Sequence, residues 1–206
     1  MDPKGKFQAI READQNDQTG YVRHLCERFL QEHPDHGPAL LRYSRNLIAL
    51  GAYAEAQAAL DHAERVVPPQ HLHLVIARRG HLLEAQGRFD QAEEMFMEAH
   101  RLDPEDATYL IYAGIAASRR GDLKLVLDLH TRATRCPEGC IDEAHFNRAG
   151  KLLALKRYDE AAEAYREALR LDPDYDIAKE RLEDVERILA DEKVMRTEPE
   201  GSSSGE

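Results

Sequence analysis

The 206 residues carry a formal net charge of −11 and are 42 % hydrophobic and 33 % charged, a soluble composition with enough chain for one or two ordinary domains. Such acidity excludes nonspecific nucleic-acid binding, which requires a basic surface, and no window approaches the roughly 18 apolar residues of a membrane span. Three cysteines make no disulfide framework and the opening MDPKGKFQAIREADQ holds no secretory apolar core, so a cytoplasmic setting is expected.

Residues 1–36 read as two short amphipathic helices. Phe7, Ile10 and Ala13 mark the first. A polar break follows, and Val22, Leu25, Cys26, Phe29 and Leu30 mark a second that Pro34 closes. Four clearer units come next, at 37–70, 71–104, 105–138 and 139–173. Their helices are expected at Pro38–Leu50 with Tyr53–Val66, Leu72–Gln86 with Phe89–Arg101, Asp106–Arg120 with Leu123–Thr134, and Asp142–Leu155 with Tyr158–Leu171. The turn residues Gly51, Gly87, Gly121 and Lys156 are 36, 34 and 35 apart. The closing prolines Pro34, Pro68, Pro104, Pro137 and Pro173 are 34, 36, 33 and 36 apart. A period this steady identifies a repeat array.

Each unit has a steric logic. Glycine takes the left-handed conformation that ends the first helix. Alanine at Ala56, Ala92 and Ala161, and again at Ala63, Ala99, Ala133 and Ala168, lets the two helices approach. Ser44, Gly80, Gly114 and Ala149 are the small residues facing them, and Leu60, Phe96 and Tyr165 are expected to fill the space between units. Proline stops the second helix. The third unit departs from the pattern, with Val126 in place of the alanine and His130 in place of the large apolar residue.

After Pro173, Tyr175, Ile177, Leu182, Val185, Ile188 and Leu189 form one apolar stripe. This predicts a capping helix over 174–190 that covers the last repeat with one face. Residues 191–206, polar and rich in Ser and Gly, are expected to be a disordered acidic tail.

The glycine, aromatic, alanine, large residue, alanine, proline order resembles the tetratricopeptide repeat (TPR) family, closely over residues 37–173 and loosely over 3–36. The resemblance implies an all-α, right-handed α-solenoid of tandem helix-turn-helix repeats, ended by the capping helix. It also implies that the first helix of each pair lines a concave groove that binds a peptide or a partner helix. Counting back from the turns places Arg42, Arg45, Arg78, His81, Tyr112 and Asn147 on that face, with Leu41, Ile111 and Phe146 beside them as apolar pockets. The arginines suit an acidic ligand, because a guanidinium offers a planar fork to carboxylate; alternatively they snorkel or pair with acids of the chain, as Arg79 could with Glu84. The lysine and asparagine clamp of chaperone-binding members is not matched, since Leu41, Arg45 and Tyr112 stand at the equivalent sites.

No phosphate-binding glycine loop, zinc-protease helix motif or nucleophile elbow is present in the sequence. The expectation is therefore a non-enzymatic protein–protein interaction scaffold without cofactor, a monomer or weak homodimer, binding neither nucleic acid nor membrane. Two rival readings are a self-assembling homodimer and a metal- or redox-active protein. The second would use Cys136 and Cys140 with His130 and His145, since two thiolates and two imidazoles can complete a tetrahedral zinc site.

Overall fold

The computed structural model describes residues 2–16 and 18–197. Its described residues form eleven α-helices: α1 Pro3–Gln15, α2 Thr19–Glu32, α3 Gly37–Ala49, α4 Tyr53–Val66, α5 Leu72–Ala85, α6 Phe89–Leu102, α7 Thr108–Arg119, α8 Leu123–Ala133, α9 Ile141–Ala154, α10 Tyr158–Leu171 and α11 Asp176–Thr197. The all-α class expected from the sequence is the class observed.

The turns explain why these helices end where they do. Gly51, Gly87 and Gly121 sit at φ 73°, 74° and 80°, and Lys156 takes the same left-handed conformation at φ 59°. After α3, the Gly51 amide donates to the Ile48 carbonyl at 3.0 Å and the Ala52 amide to the Leu47 carbonyl at 2.9 Å. This pair of bonds satisfies carbonyls that a helix end leaves open. The turn at Lys156 repeats it, with the Lys156 and Arg157 amides reaching Leu153 and Leu152 at 2.9 Å each.

The chain divides into two compact units, one ending at Pro104 and the other starting at Glu105. In the first, each helix packs on the next, from α1 to α5, and α5 on α6; α3 also meets α5. In the second, α7 meets α8 and α9, and α8 to α11 pack in succession. First helices thus touch first helices within each unit, which is how stacked hairpins bury a continuous core.

Two of the buried clusters lie in the first unit. Ile10, Ala13, Val22, Cys26, Phe29 and Ala39 join α1 and α2 to the start of α3. Leu40, Leu47, Ala56, Leu60, Ala63, Val75 and Leu82 belong to the second. In the second unit, Ala149, Leu152, Ala161, Tyr165, Ala168, Ala178 and Val185 are all buried. The capping helix packs on α10 through Ala178, Leu182, Val185 and Leu189, while Ile177 of the expected stripe is largely exposed, and the helix does not end at 190. It continues to Thr197, because 191–197 holds neither Gly nor Pro and is made of residues that tolerate a helix. The disordered tail expected from 191 is corrected accordingly, and its remainder, 198–206, lies outside the described residues. No described helix is long and apolar enough to cross a membrane.

Candidate functional site

The face of interest in the first unit is carried by α1, α3 and α5. Alternation on α3 sets it up: Leu40, Ser44 and Leu47 are buried, which turns Arg42 and Arg45 outward at 31 % and 53 % side-chain exposure. Neither arginine is unpartnered. Both donate to the same oxygen, Oδ2 of Asp14 near the end of α1, Arg45 through Nη1 at 3.2 Å and Arg42 at shorter range. The Asp14 side chain is only 11 % exposed. Asn46, next to Arg45 and 5 % exposed, donates its Nδ2 to the Thr19 carbonyl at 2.8 Å, tying α3 to the start of α2. Its Oδ1 is buried and accepts no hydrogen bond.

The remaining positions of this face split between roles. Leu41 is half-buried and packs against the core cluster, so it contributes to the fold as well as to the surface. Arg78 is half-buried on α5. His81 places Nδ1 3.6 Å from the Glu84 carboxylate and its ring edge-on to Phe96, 5.0 Å between centroids. Arg79, which the sequence offered to Glu84, goes instead to Asp61 at 2.8 Å and Glu64 at 2.7 Å on α4.

In the second unit the sequence expectation needs correcting at Ile111. It is fully buried, together with Leu110, Ala113, Gly114, Ala116 and Ala117, so α7 is apolar on most of its circumference and Ile111 is a core residue. Tyr112 is half-buried beside it. Phe146 is half-buried too, with its ring against Tyr165 at 5.6 Å and Tyr175 at 4.8 Å, which makes it a bridge to the capping helix. Asn147 holds a buried Nδ2 that donates to no group. Lys151 reaches across to Ser118 at 3.1 Å.

The cysteine and histidine cluster does not assemble. Among the described residues no three His, Cys, Asp or Glu side chains come together as a metal site. His130 is 1 % exposed, with its ring against Gly114. Burial and, secondarily, the Lys151 charge lower its pKa to about 4. The loop carrying Cys136 and Cys140 is pinned by its backbone to the start of the unit: the Ala107 amide donates to the Glu138 carbonyl at 2.9 Å and the Glu138 amide to that of Glu105 at 3.1 Å. Gly139, at φ 89°, lies against Asp106. Burial raises both thiol pKa values, and Asp106 adds to each. This disfavours the thiolates that metal or redox chemistry needs.

Models of the family described as Tetratricopeptide repeat match residues 8–79, 78–125 and 142–175. The first match takes in most of the N-terminal pair that looks degenerate in sequence. Among solved structures the chain is similar to a chain of the APC/C hetero-tetramer Cut9-Hcn1 (18 % identity, TM-score 0.68), covering 89 % of this chain but 36 % of that one. It is similar also to TTC0263, a thermophilic TPR protein of Thermus thermophilus (19 %, TM-score 0.65), covering 89 % of this chain and 98 % of that one. A third likeness is to the first TPR of Spaghetti (RPAP3), solved with the HSP90 peptide SRMEEVD (22 %, TM-score 0.54), covering 60 % and 99 %. Likeness at these identities concerns the fold. With the matched residues carrying all four turn positions and every alanine and proline marker except Ala133 and Pro137, the chain belongs to the tetratricopeptide repeat family.

Proposed function

We propose that this chain is a protein–protein interaction scaffold without chemistry of its own, and that the face of α3 and α5 in its first unit binds an acidic peptide segment. The observation that carries this reading is the pair Arg42 and Arg45, brought together on one carboxylate at the surface of an otherwise acidic protein. A site that gathers two guanidiniums on one oxygen has the geometry for a ligand carboxylate. The fold supports it: the similar TPR of Spaghetti is bound to a peptide whose letters include two Glu and one Asp, and YrrB, another similar structure, is described as a TPR protein with an unusual peptide-binding site. Leu41 shares α3 with the pair, and Arg78 and His81 extend the face along α5. In the second unit, Tyr112, Phe146 and Asn147 offer a more apolar surface for a separate stretch of partner. The cytoplasm is the compartment that fits a chain with this cysteine usage.

Affinity capture from native lysate, with the wild type and an Arg42→Ala/Arg45→Ala/Arg78→Ala variant compared by mass spectrometry, tests the reading. A partner recovered with the wild type and lost from the variant supports it. Equal recovery by both moves binding to another face.

A further inference from the structure

We infer that the cleft between α1, the start of α2 and α3 is a carboxylate-binding site that the chain keeps filled with its own Asp14, and that an acidic side chain of the ligand enters by exchange with it. This rests on the reading of the α3 face as the peptide site, and specifies how that site is controlled.

Asp14 occupies the position a ligand carboxylate would take. One oxygen serves both guanidiniums, and the side chain is sheltered while Arg45 remains half exposed. An arginine has five N–H donors, and Arg45 gives one of them to Asp14; the fork can therefore engage a second carboxylate before the first leaves. Such a path lowers the barrier to exchange, since neither arginine need be stripped of its anion. Asp14 follows Ala13, the last buried residue of α1, and lies one residue from the helix end, where its side chain can swing clear without disturbing the core.

The rest of the cleft is built for a polar guest. Gln18, Val22 and Ala49 line it together with Asp14, Arg45 and Asn46. Asn46 is more than nine-tenths buried, and its carbonyl oxygen lacks a donor. A buried acceptor left open is costly and is satisfied when a donor arrives. With two guanidiniums already gathered on one oxygen, the site asks for a carboxylate, which an Asp- or Glu-containing segment supplies.

The test uses the full chain and N-acetyl-hexaglutamate carrying a fluorophore, read by anisotropy. If Asp14 fills the site about nine-tenths of the time, removing its charge strengthens apparent affinity about tenfold. Asp14→Asn is thus expected to bind the probe about tenfold more tightly than the wild type, with affinity falling as salt rises. Asp14→Glu keeps the internal carboxylate and is expected to match the wild type. Arg42→Ala/Arg45→Ala is expected to lose binding in either background. Should Asp14→Asn fail to fold, as judged by circular dichroism, Asp14→Ser is read in its place. Wild-type binding that depends on the arginines but is not strengthened by Asp14→Asn overturns the exchange and leaves the acidic-peptide reading standing. Absence of binding to every variant, or binding indifferent to the arginines, overturns both.

Discussion

The imidazole of His130 stands where a side chain at Gly114 would have to be: a β-carbon built on Gly114 would come within 2.7 Å of the ring. Phe96 and Gly80 have the same relationship at 2.6 Å in the first unit. His130 is therefore the structural counterpart of Phe96, and the glycine opposite is what admits a flat ring between two helices. Gly114→Ala and Gly80→Ala should each destabilise by about 1–3 kcal/mol through overpacking. Gly20→Ala, on α2 with nothing within 4 Å, should instead stabilise by less than about 1 kcal/mol. Urea unfolding of the three variants checks the contrast.

Burying that ring has a pH consequence. The folded-state pKa of His130 lies near 4, against an ordinary value of 6.5, so between those values the unfolded chain holds the proton and the folded chain does not. Stability from this group is full above about pH 6.5 and is lost as pH falls toward 4, by something on the order of 3 kcal/mol. His130→Phe, which restores the ring type of Phe96, should flatten the stability curve between about pH 7 and pH 4.5. Denaturation at the two pH values, wild type against variant, measures the difference.

Lys156 is the one described non-glycine residue at positive φ, and holding a side chain there costs about 1–2 kcal/mol. Lys156→Gly should raise stability by about 1 kcal/mol, because some of the gain is offset by glycine's greater unfolded-state freedom. Gly87→Lys, at the corresponding turn, should do the opposite. Chemical denaturation of both variants provides the test.

Gly139 anchors the loop between α8 and α9. A β-carbon there would meet Asp106 Oδ1 and come within 2.9 Å of the Ala107 nitrogen, at a φ of 89°. Gly139→Ala should break the backbone pairing of 105–107 with 138 at a cost of about 1–3 kcal/mol. Hydrogen exchange at the Ala107 and Glu138 amides should accelerate in the variant; unchanged rates would show that the loop is held otherwise.

The repeats were legible in the sequence because each marker residue answers one steric demand. Gly51 must turn left-handed, Ala92 must let two helices close, and Pro104 must end a helix. The face was legible only as positions. Arg42 and Arg45 could be placed on it by counting from Gly51, but Asp14 lies 28 and 31 residues earlier, in the pair where the turn glycine is missing and the count has no origin. Counting also puts Ile111 at the edge of the face, yet only packing decides that α7 is enclosed around that position. The polar composition of 191–197 hides the helical reach of α11, because a helix needs only the absence of breakers and one face to pack.

The most direct test of the central claim, that the first-helix face of the N-terminal unit is the binding surface, is site-specific photo-crosslinking in native lysate. A benzophenone side chain at Ala49, exposed on α3 at the edge of the cleft, is compared with one at Ala58, exposed on α4. A discrete crosslinked partner is expected from position 49, removed by Arg42→Ala/Arg45→Ala, and none from position 58. A partner captured from position 58 and not from 49 would contradict the claim.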